Sequence, residues 1–298
     1  MVTPFDADGS LDADGAARVA RWLEANGSDA LLVGGTTGEG PVLSDSEMVD
    51  LCRAVCGAVT VPVLVGTGTN DTRHCIERTR IAGEAGVEGV LVVTPYYNRP
   101  SQVGIAAHFE AVAGATDKPV ILYDIPVRVG RKIARETMLH LAREVTNIVG
   151  VKDAAGDVAG TARLAAEAPA GFEIYSGDDA LTLALLAVGA VGVMSVAANW
   201  APGVTGEMIA AFAKGDLDAA RATNARLLES YEFESSEAYP NPLPAKAACR
   251  ALGLPAGQCR LPLGGAPQEL DERAAQVLRR LGVSAGSAAG PIGGGALA

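Results

Sequence analysis

Seven short runs rich in Val, Ile and Leu recur through the first two-thirds of the chain. They are Ala30–Val33, Val63–Val65, Gly89–Val93, Val120–Tyr123, Ile148–Val151, Glu173–Tyr175 and Val191–Met194. Most are apolar along their length instead of alternating with polar residues. That pattern marks strands buried on both faces, hence a parallel sheet covered by helices. Amphipathic stretches separate them, at about 12–26, 44–58, 71–85, 102–115, 134–144, 158–168 and 179–188. Gly27, Gly86 and Gly189 fall where helices should end before the next strand, which suits C-caps. Met1-Val2, before Thr3-Pro4, is placed to end an eighth unit. Eight parallel strand–helix units favour a closed barrel over an open sheet, so the expected fold is α/β, a (β/α)8 barrel of the TIM type. No G-x-G-x-x-G opens a helix after the first strand; Gly66-Thr67-Gly68 is only a fragment of one, so a dinucleotide fold has no support.

After Trp200 the strand signal stops. Stretches 202–214, 216–231, 245–252 and 268–281 read as helices, with the proline-rich Ala238–Pro244 breaking the middle pair. The expected organisation is a barrel over residues 1–215, a C-terminal helical region over 216–283, and a disordered Gly/Ala-rich tail over 284–298. The stretch from Ala180 to Gly206 carries no charge and is long enough to span a bilayer at ~20 residues. Gly189, Gly192, Asn199 and Pro202 interrupt it and no Lys or Arg flanks it closely, so a helix, a turn and a short buried strand explain it better. A net charge of −11 argues against nucleic acid or an anionic membrane as partner. The 5 cysteines and 3 histidines show no C-x-x-C and no ligand-like spacing. The cysteines read as buried thiols in a reducing cytosol. The N-terminal residues lack the pattern of a signal peptide, and the expected location is cytoplasmic.

In such a barrel, chemistry belongs at the C-terminal ends of the strands. The residues following each run are Gly34-Gly35-Thr36-Thr37-Gly38-Glu39, Thr94-Pro95-Tyr96-Tyr97-Asn98, Tyr123-Asp124-Ile125-Pro126 with Arg128 nearby, Lys152-Asp153, and Ser176-Gly177-Asp178-Asp179. Lys152 is the most informative. At the end of an apolar strand it is either a nucleophilic amine facing the barrel mouth or a lysine paired with Asp153 or Asp178. Gly-Thr-Thr-Gly is either a turn or a cradle whose hydroxyls and backbone N–H groups hold a carboxylate. Amine, cradle and phenols taken together point to imine chemistry on a 2-oxo acid.

On these residues the sequence resembles the dihydrodipicolinate synthase family of pyruvate-dependent class I aldolases. The matching segments are Val2–Phe5, Gly35–Glu39, Thr94–Gln102, Tyr123–Arg128, Gly150–Asp153 and Ser176–Asp179, and Pro240–Pro244 with Lys246 matches the C-terminal region. The resemblance runs from Met1 to about Leu281. It implies that Lys152 forms a Schiff base with pyruvate and that Tyr123 moves protons beside the imine. Thr36 would link Tyr123 to Tyr97, and Tyr97 would reach in from a neighbouring subunit. Thr37, the Met194 backbone and Gly177 would contact pyruvate. No metal or organic cofactor is implied, and the expected assembly is a homotetramer built as a dimer of dimers.

The same resemblance gives Arg128 the carboxylate of the second substrate, L-aspartate 4-semialdehyde, through a planar guanidinium that can bond both oxygens. The implied activity is a lyase that condenses this aldehyde with pyruvate and opens the route to diaminopimelate and lysine. The alternative is another pyruvate-dependent aldolase, lyase or dehydratase of the family acting on a sugar acid. A barrel that binds small acids without catalysis is a third reading, against which the intact Lys152, Tyr123, Thr36 and Tyr97 set weighs. The sequence departs from the family pattern at Asp124 (Asn is common), Gly40 (Ser is common), and Val127 and Val129 beside Arg128. Family members also carry several residues before the match to Val2-Thr3-Pro4, so Met1 is expected inside the first strand, with a misassigned start codon as the preferred reason.

Overall fold

The computed structural model describes residues 1–284. The expected tail from residue 285 onward lies outside the described residues. Seven parallel strands form one sheet in chain order: β1 (Leu31–Val33), β2 (Val63–Gly66), β3 (Gly89–Val93), β4 (Val120–Asp124), β5 (Ile148–Asp153), β6 (Glu173–Ser176) and β7 (Gly192–Val193). Between and before them run α1 (Ala13–Ala25), α2 (Asp45–Cys56), α3 (Thr72–Gly83), α4 (Gln102–Ala113), the one-turn α5 (Pro126–Val129), α6 (Arg135–Glu144), α7 (Val158–Glu167) and α8 (Thr182–Leu186). The chain continues as α9 (Pro202–Ala213), α10 (Leu217–Phe233), α11 (Leu243–Ala251) and α12 (Gln268–Leu281). Consecutive helix-bearing crossovers joining neighbouring parallel strands wind the sheet around one axis, as a barrel requires.

Local sequence explains where the helices begin. Asp12, Ser44, Asp71, Ser101, Asp157 and Asp216 each cap a helix by accepting a hydrogen bond from a first-turn backbone N–H. At α2 the cap is reciprocal, because Glu47 reaches back to the Ser44 N–H. Gly27, Gly86 and Gly189 all have positive φ, as expected of glycines that end a helix.

The apolar side chains sort into two layers. Val33, Val65, Val90, Val92, Val120, Leu122 and Val151 face the helices and join the large core cluster. Leu91, Ile121 and Tyr123 face inward with Leu32, Leu64, Val149, Tyr175 and Met194. The alternation is broken once, at a register shift between β4 and β5 that leaves Val149 and Val151 on opposite faces; beyond it Tyr123 lies inside and Asp124 outside, and Lys152 inside and Asp153 outside.

Three differences from the sequence reading have local causes. Met1-Val2 does not form an eighth strand. The segment lies between the sheet edges, with its amine on the Leu32 carbonyl and the Val2 N–H on Asn199 Oδ1 at 2.9 Å, too short a contact to build a ladder. The helix expected at 179–188 splits, because Asp178 caps a separate 3-10 turn, Asp179–Leu181, before α8 begins. Helix α5 was not expected; a single turn is too short for periodicity to reveal. No described helix is long and apolar enough to cross a membrane. The uncharged Ala180–Gly206 stretch is divided among the 3-10 turn, α8, β7 and the start of α9. The C-terminal helices are bound to the barrel through Trp200, whose indole N–H donates to Ser230 Oγ at 3.2 Å and whose ring meets Phe233 edge-on.

Candidate functional site

The parallel register fixes the centre of the site. Tyr123 on β4 pairs with Lys152 on β5, which pairs in turn with Tyr175 on β6, so three inward side chains stand in one row. Lys152 Nζ lies 4.5 Å from the Tyr123 ring centroid. Both residues are buried, at 8% and 5% exposure, at the strand ends, and Lys152 lines a cavity there. Gly177 has no room for a side chain. A Cβ there would lie 2.9 Å from Lys152 Cγ, 3.1 Å from its Cε and 2.9 Å from Ala154 Cβ. The lysine stem therefore lies across the backbone at residue 177, and this contact fixes where its amine ends.

The loop after β1 forms the opposite wall. Thr36 and Thr37 line a cavity of about 470 Å³ with Lys152, Tyr175 and Met194, which extends along the seam between β1 and β7. Thr37 Oγ1 accepts a hydrogen bond from Asn241 Nδ2 at 3.0 Å. The loop is tight: Glu39 has φ 54°, and a Cβ on Gly40 would sit 2.1 Å from the Gly34 carbonyl oxygen. This close approach explains the glycine at residue 40. Glu39 turns inward and meets Lys246 Nζ on α11 at 2.6 Å, with the Arg260 N–H on its other oxygen at 2.9 Å. Burial lowers the Lys246 pKa, and the Glu39 carboxylate opposes that shift.

Acidic groups surround the site at two levels. Behind β4 and β5, Asp124 accepts from the Ile133 N–H at 3.1 Å, and Asp153 accepts from Thr161 Oγ1 at 2.6 Å. Burial, with Asp153 adding to it, pushes the Asp124 carboxyl up to about 7. Asp124 thus supplies a carboxyl that titrates near neutrality. Above β6 and β7, Asp179 takes hydrogen bonds from Ser195 Oγ, from the Val196 N–H at 2.7 Å and from the Ala197 N–H at 3.4 Å. Glu234, at the end of α10, sits beside Asp179; burial and then the charge of Asp179 push its carboxyl up to about 10.

The structure brings Lys152, Tyr123, Thr36, Thr37, Met194 and Gly177 together. It does not bring Tyr97 or Arg128 into the cavity of their own chain. Tyr97 is 89% exposed with φ 70°. Arg128 is exposed on α5 and, among the described residues, makes no ion pair. Sequence reasoning assigned no role to Asn241, Asp179 or Glu234. Asn241 stands in the matched Pro240–Pro244 segment, which was its only signal; Glu234 had none, since it ends an otherwise ordinary amphipathic helix.

With this geometry in place, comparison with known proteins is direct. Residues 1–281 match the model of the dihydrodipicolinate synthetase family. The chain is 48% identical over 285 residues to 4-hydroxy-tetrahydrodipicolinate synthase of Moorella thermoacetica, covering 95% of this chain and 97% of that one. It is 50% identical over 272 residues to the protein of the same name from Acidothermus cellulolyticus, covering 90% and 86%. A crystal structure of dihydrodipicolinate synthase from Bacillus anthracis superposes with a TM-score of 0.89 at 41% identity, covering 94% of this chain and 95% of that one. A barrel whose inward lysine and tyrosine face a double-threonine loop, and whose sequence matches over nearly its whole length, belongs to the dihydrodipicolinate synthetase family.

Proposed function

We propose that the protein is a lyase that condenses pyruvate with L-aspartate 4-semialdehyde through a Schiff base on Lys152, forming 4-hydroxy-tetrahydrodipicolinate. The observation that carries this is the Lys152 amine, buried over the Tyr123 ring and open to a cavity walled by Thr36 and Thr37. The free amine attacks the C2 carbonyl of pyruvate, and loss of water gives an iminium. That cation draws electron density from the methyl group, so a C3 proton leaves and a nucleophilic enamine forms. Tyr123 carries protons at each stage, a role its closeness to the Lys152 amine supports. The enamine attacks the aldehyde, and the substrate's own amine then displaces Lys152 as the ring closes.

Thr37 holds the pyruvate carboxylate, with the Met194 backbone and Gly177 bounding the same end. Thr36 relays protons from Tyr123 toward Tyr97 of a second copy. The outward position of Tyr97 supports that role, since it lies outside the cavity of its own chain. The assembly is a homotetramer made of two such dimers. Arg128, free of ion pairs within the described chain, takes the carboxylate of the aldehyde. The reaction serves diaminopimelate and lysine biosynthesis in the cytoplasm.

Borohydride reduction in the presence of pyruvate tests the mechanism. It should place one reduced three-carbon unit on Lys152, and Lys152→Arg should abolish the adduct and lower activity by orders of magnitude. An adduct on another lysine sinks the mechanism. A coupled assay with aspartate 4-semialdehyde tests the substrate; turnover of a sugar acid in its place would leave the imine chemistry standing and remove the proposed reaction.

A further inference from the structure

Asn241 and Thr37 are 204 positions apart, yet Asn241 Nδ2 donates to Thr37 Oγ1 at 3.0 Å, and Asn241 is only 5% exposed. A hydroxyl has one hydrogen to give and two lone pairs to receive. Once one lone pair is taken by Asn241, the hydroxyl hydrogen must turn away from it, and Thr37 lines the cavity that also holds Lys152. The amide is held from several sides. Its backbone N–H bonds Ser235 Oγ at 3.3 Å, and α11, which begins two residues later, carries the Lys246 that pairs with Glu39. Asn241 Oδ1 is buried without a hydrogen-bond partner among the described residues, a cost that simple packing gives no reason to retain.

We infer that Asn241 is a positioning residue, which fixes the Thr37 hydroxyl as a donor to the substrate carboxylate, so that the C-terminal region sets the polarity of the cradle. The inference rests on the reading of the site as a pyruvate site. Asparagine does this where an isosteric aspartate cannot. A carboxylate at this place accepts from Thr37 and pulls its hydrogen out of the cavity.

The test compares Asn241→Asp, Asn241→Ala and Thr37→Val, with the two double variants, by borohydride trapping across a range of pyruvate concentrations. Asn241→Asp should raise half-saturation by pyruvate on the order of tenfold or more, and Asn241→Ala by a few-fold, because alanine leaves the hydroxyl free to rotate but not reversed. The half-saturation for aspartate 4-semialdehyde should move much less. In the Thr37→Val background, both changes at residue 241 should lose most of their effect. Wild-type pyruvate dependence in Asn241→Asp would overturn the inference, since residue 241 would then serve as an acceptor. An undiminished effect in the Thr37→Val background would also overturn it, since charge repulsion or misfolding would then be the cause. Should Asn241→Asp not fold, Asn241→Ala with Thr37→Val decides by the same comparison. Wild-type protein that traps no pyruvate removes the pyruvate reading as well; normal trapping indifferent to residue 241 removes this inference alone.

Discussion

Glu234→Gln should make the protein more stable, and by an amount that grows with pH. Glu234 ends α10 with its backbone N–H on Ser230 and its carboxyl against Asp179. Burial and the Asp179 charge, with Asp178 adding and Lys152 opposing, hold the Glu234 proton to about pH 10, against an ordinary value of 4.5. Tyr231 faces the same pair from α10 and is shifted upward by burial and by both acids. In the unfolded chain Glu234 releases its proton near pH 4.5; in the folded protein it keeps it. Below the lower value both states are protonated and nothing is lost. Between the two values, stability falls with rising pH at ~1.4 kcal/mol per unit for one proton. From pH 6 to pH 8 the wild type should therefore lose about 2.7 kcal/mol more than the glutamine variant, which carries no such proton. For a chain of this size that is roughly 5 °C in Tm. Urea unfolding at pH 6, 7 and 8, at one protein concentration, reads the difference directly. Parallel stability profiles for the two proteins would show that Glu234 is already ionised in the fold, and the reasoning would fail.

Two further substitutions separate positioning from binding. Gly177→Ala should slow borohydride trapping about tenfold or more while costing ~1–3 kcal/mol in stability, because the new methyl overlaps Lys152 Cγ and Cε and shifts the amine. An unchanged trapping rate would mean that the lysine stem does not depend on that contact. Arg128→Ala should leave stability within ~0.5 kcal/mol, since the side chain is exposed, and should preserve pyruvate trapping. It should raise the half-saturation for aspartate 4-semialdehyde roughly ten- to a hundredfold, the worth of one charge-assisted carboxylate contact. Loss of pyruvate trapping and of assembly together would assign Arg128 to a subunit contact.

The strands were legible because a parallel sheet buries both faces. Val120–Leu122 and Val90–Val92 have no solvent side to mark with polar residues, so they stand out as apolar blocks. The same logic located Lys152 and Tyr123 at strand ends, although it does not say which of two adjacent polar residues turns inward: Asp124 and Asp153, one position on, turn outward to Ile133 and Thr161. What stayed hidden had no local period. β7 shrank to Gly192–Val193, and α5 is one turn long. Glu234 follows α10, where an acidic residue at a helix end ordinarily meets water; only the approach of Asp179 from the barrel makes it unusual. Asn241 contacts Thr37 across 204 residues, a separation at which no spacing rule operates. Tyr97 illustrates a different limit. Its sequence motif picks it out, but it is exposed and does not line the cavity that holds Lys152, so nothing in the packing of one chain marks it.

The C-terminal helices are therefore better regarded as part of the catalytic unit than as an appendage. Glu39 and Lys246 are each about 1% exposed in their side chains and 2.6 Å apart. A buried pair of this kind gains little net stability, because desolvation offsets the attraction, yet removing one partner costs ~3–5 kcal/mol by stranding the other charge. Its contribution is to register. Lys246 also donates to the Gln258 carbonyl at 2.8 Å and lies 4.3 Å from the Phe5 ring, over which Arg260 also packs at 4.0 Å. Arg260 in turn binds the Gly9 carbonyl at 2.8 Å, the Val42 carbonyl at 2.9 Å and the Glu47 carboxylate, whose pKa it draws down to about 2. Four separated segments thus meet around the base of the threonine loop: the N-terminal stretch at Phe5, the loop at Glu39, α11, and the turn before α12. Lysine can reach the carboxylate only when α11 sits at one height against the loop. That same height brings Asn241 to Thr37. If Asn241 orients the Thr37 hydroxyl as inferred, weakening the Glu39–Lys246 pair should also raise half-saturation by pyruvate in borohydride trapping, and unchanged pyruvate dependence in Lys246→Met would separate the ion pair from the cradle.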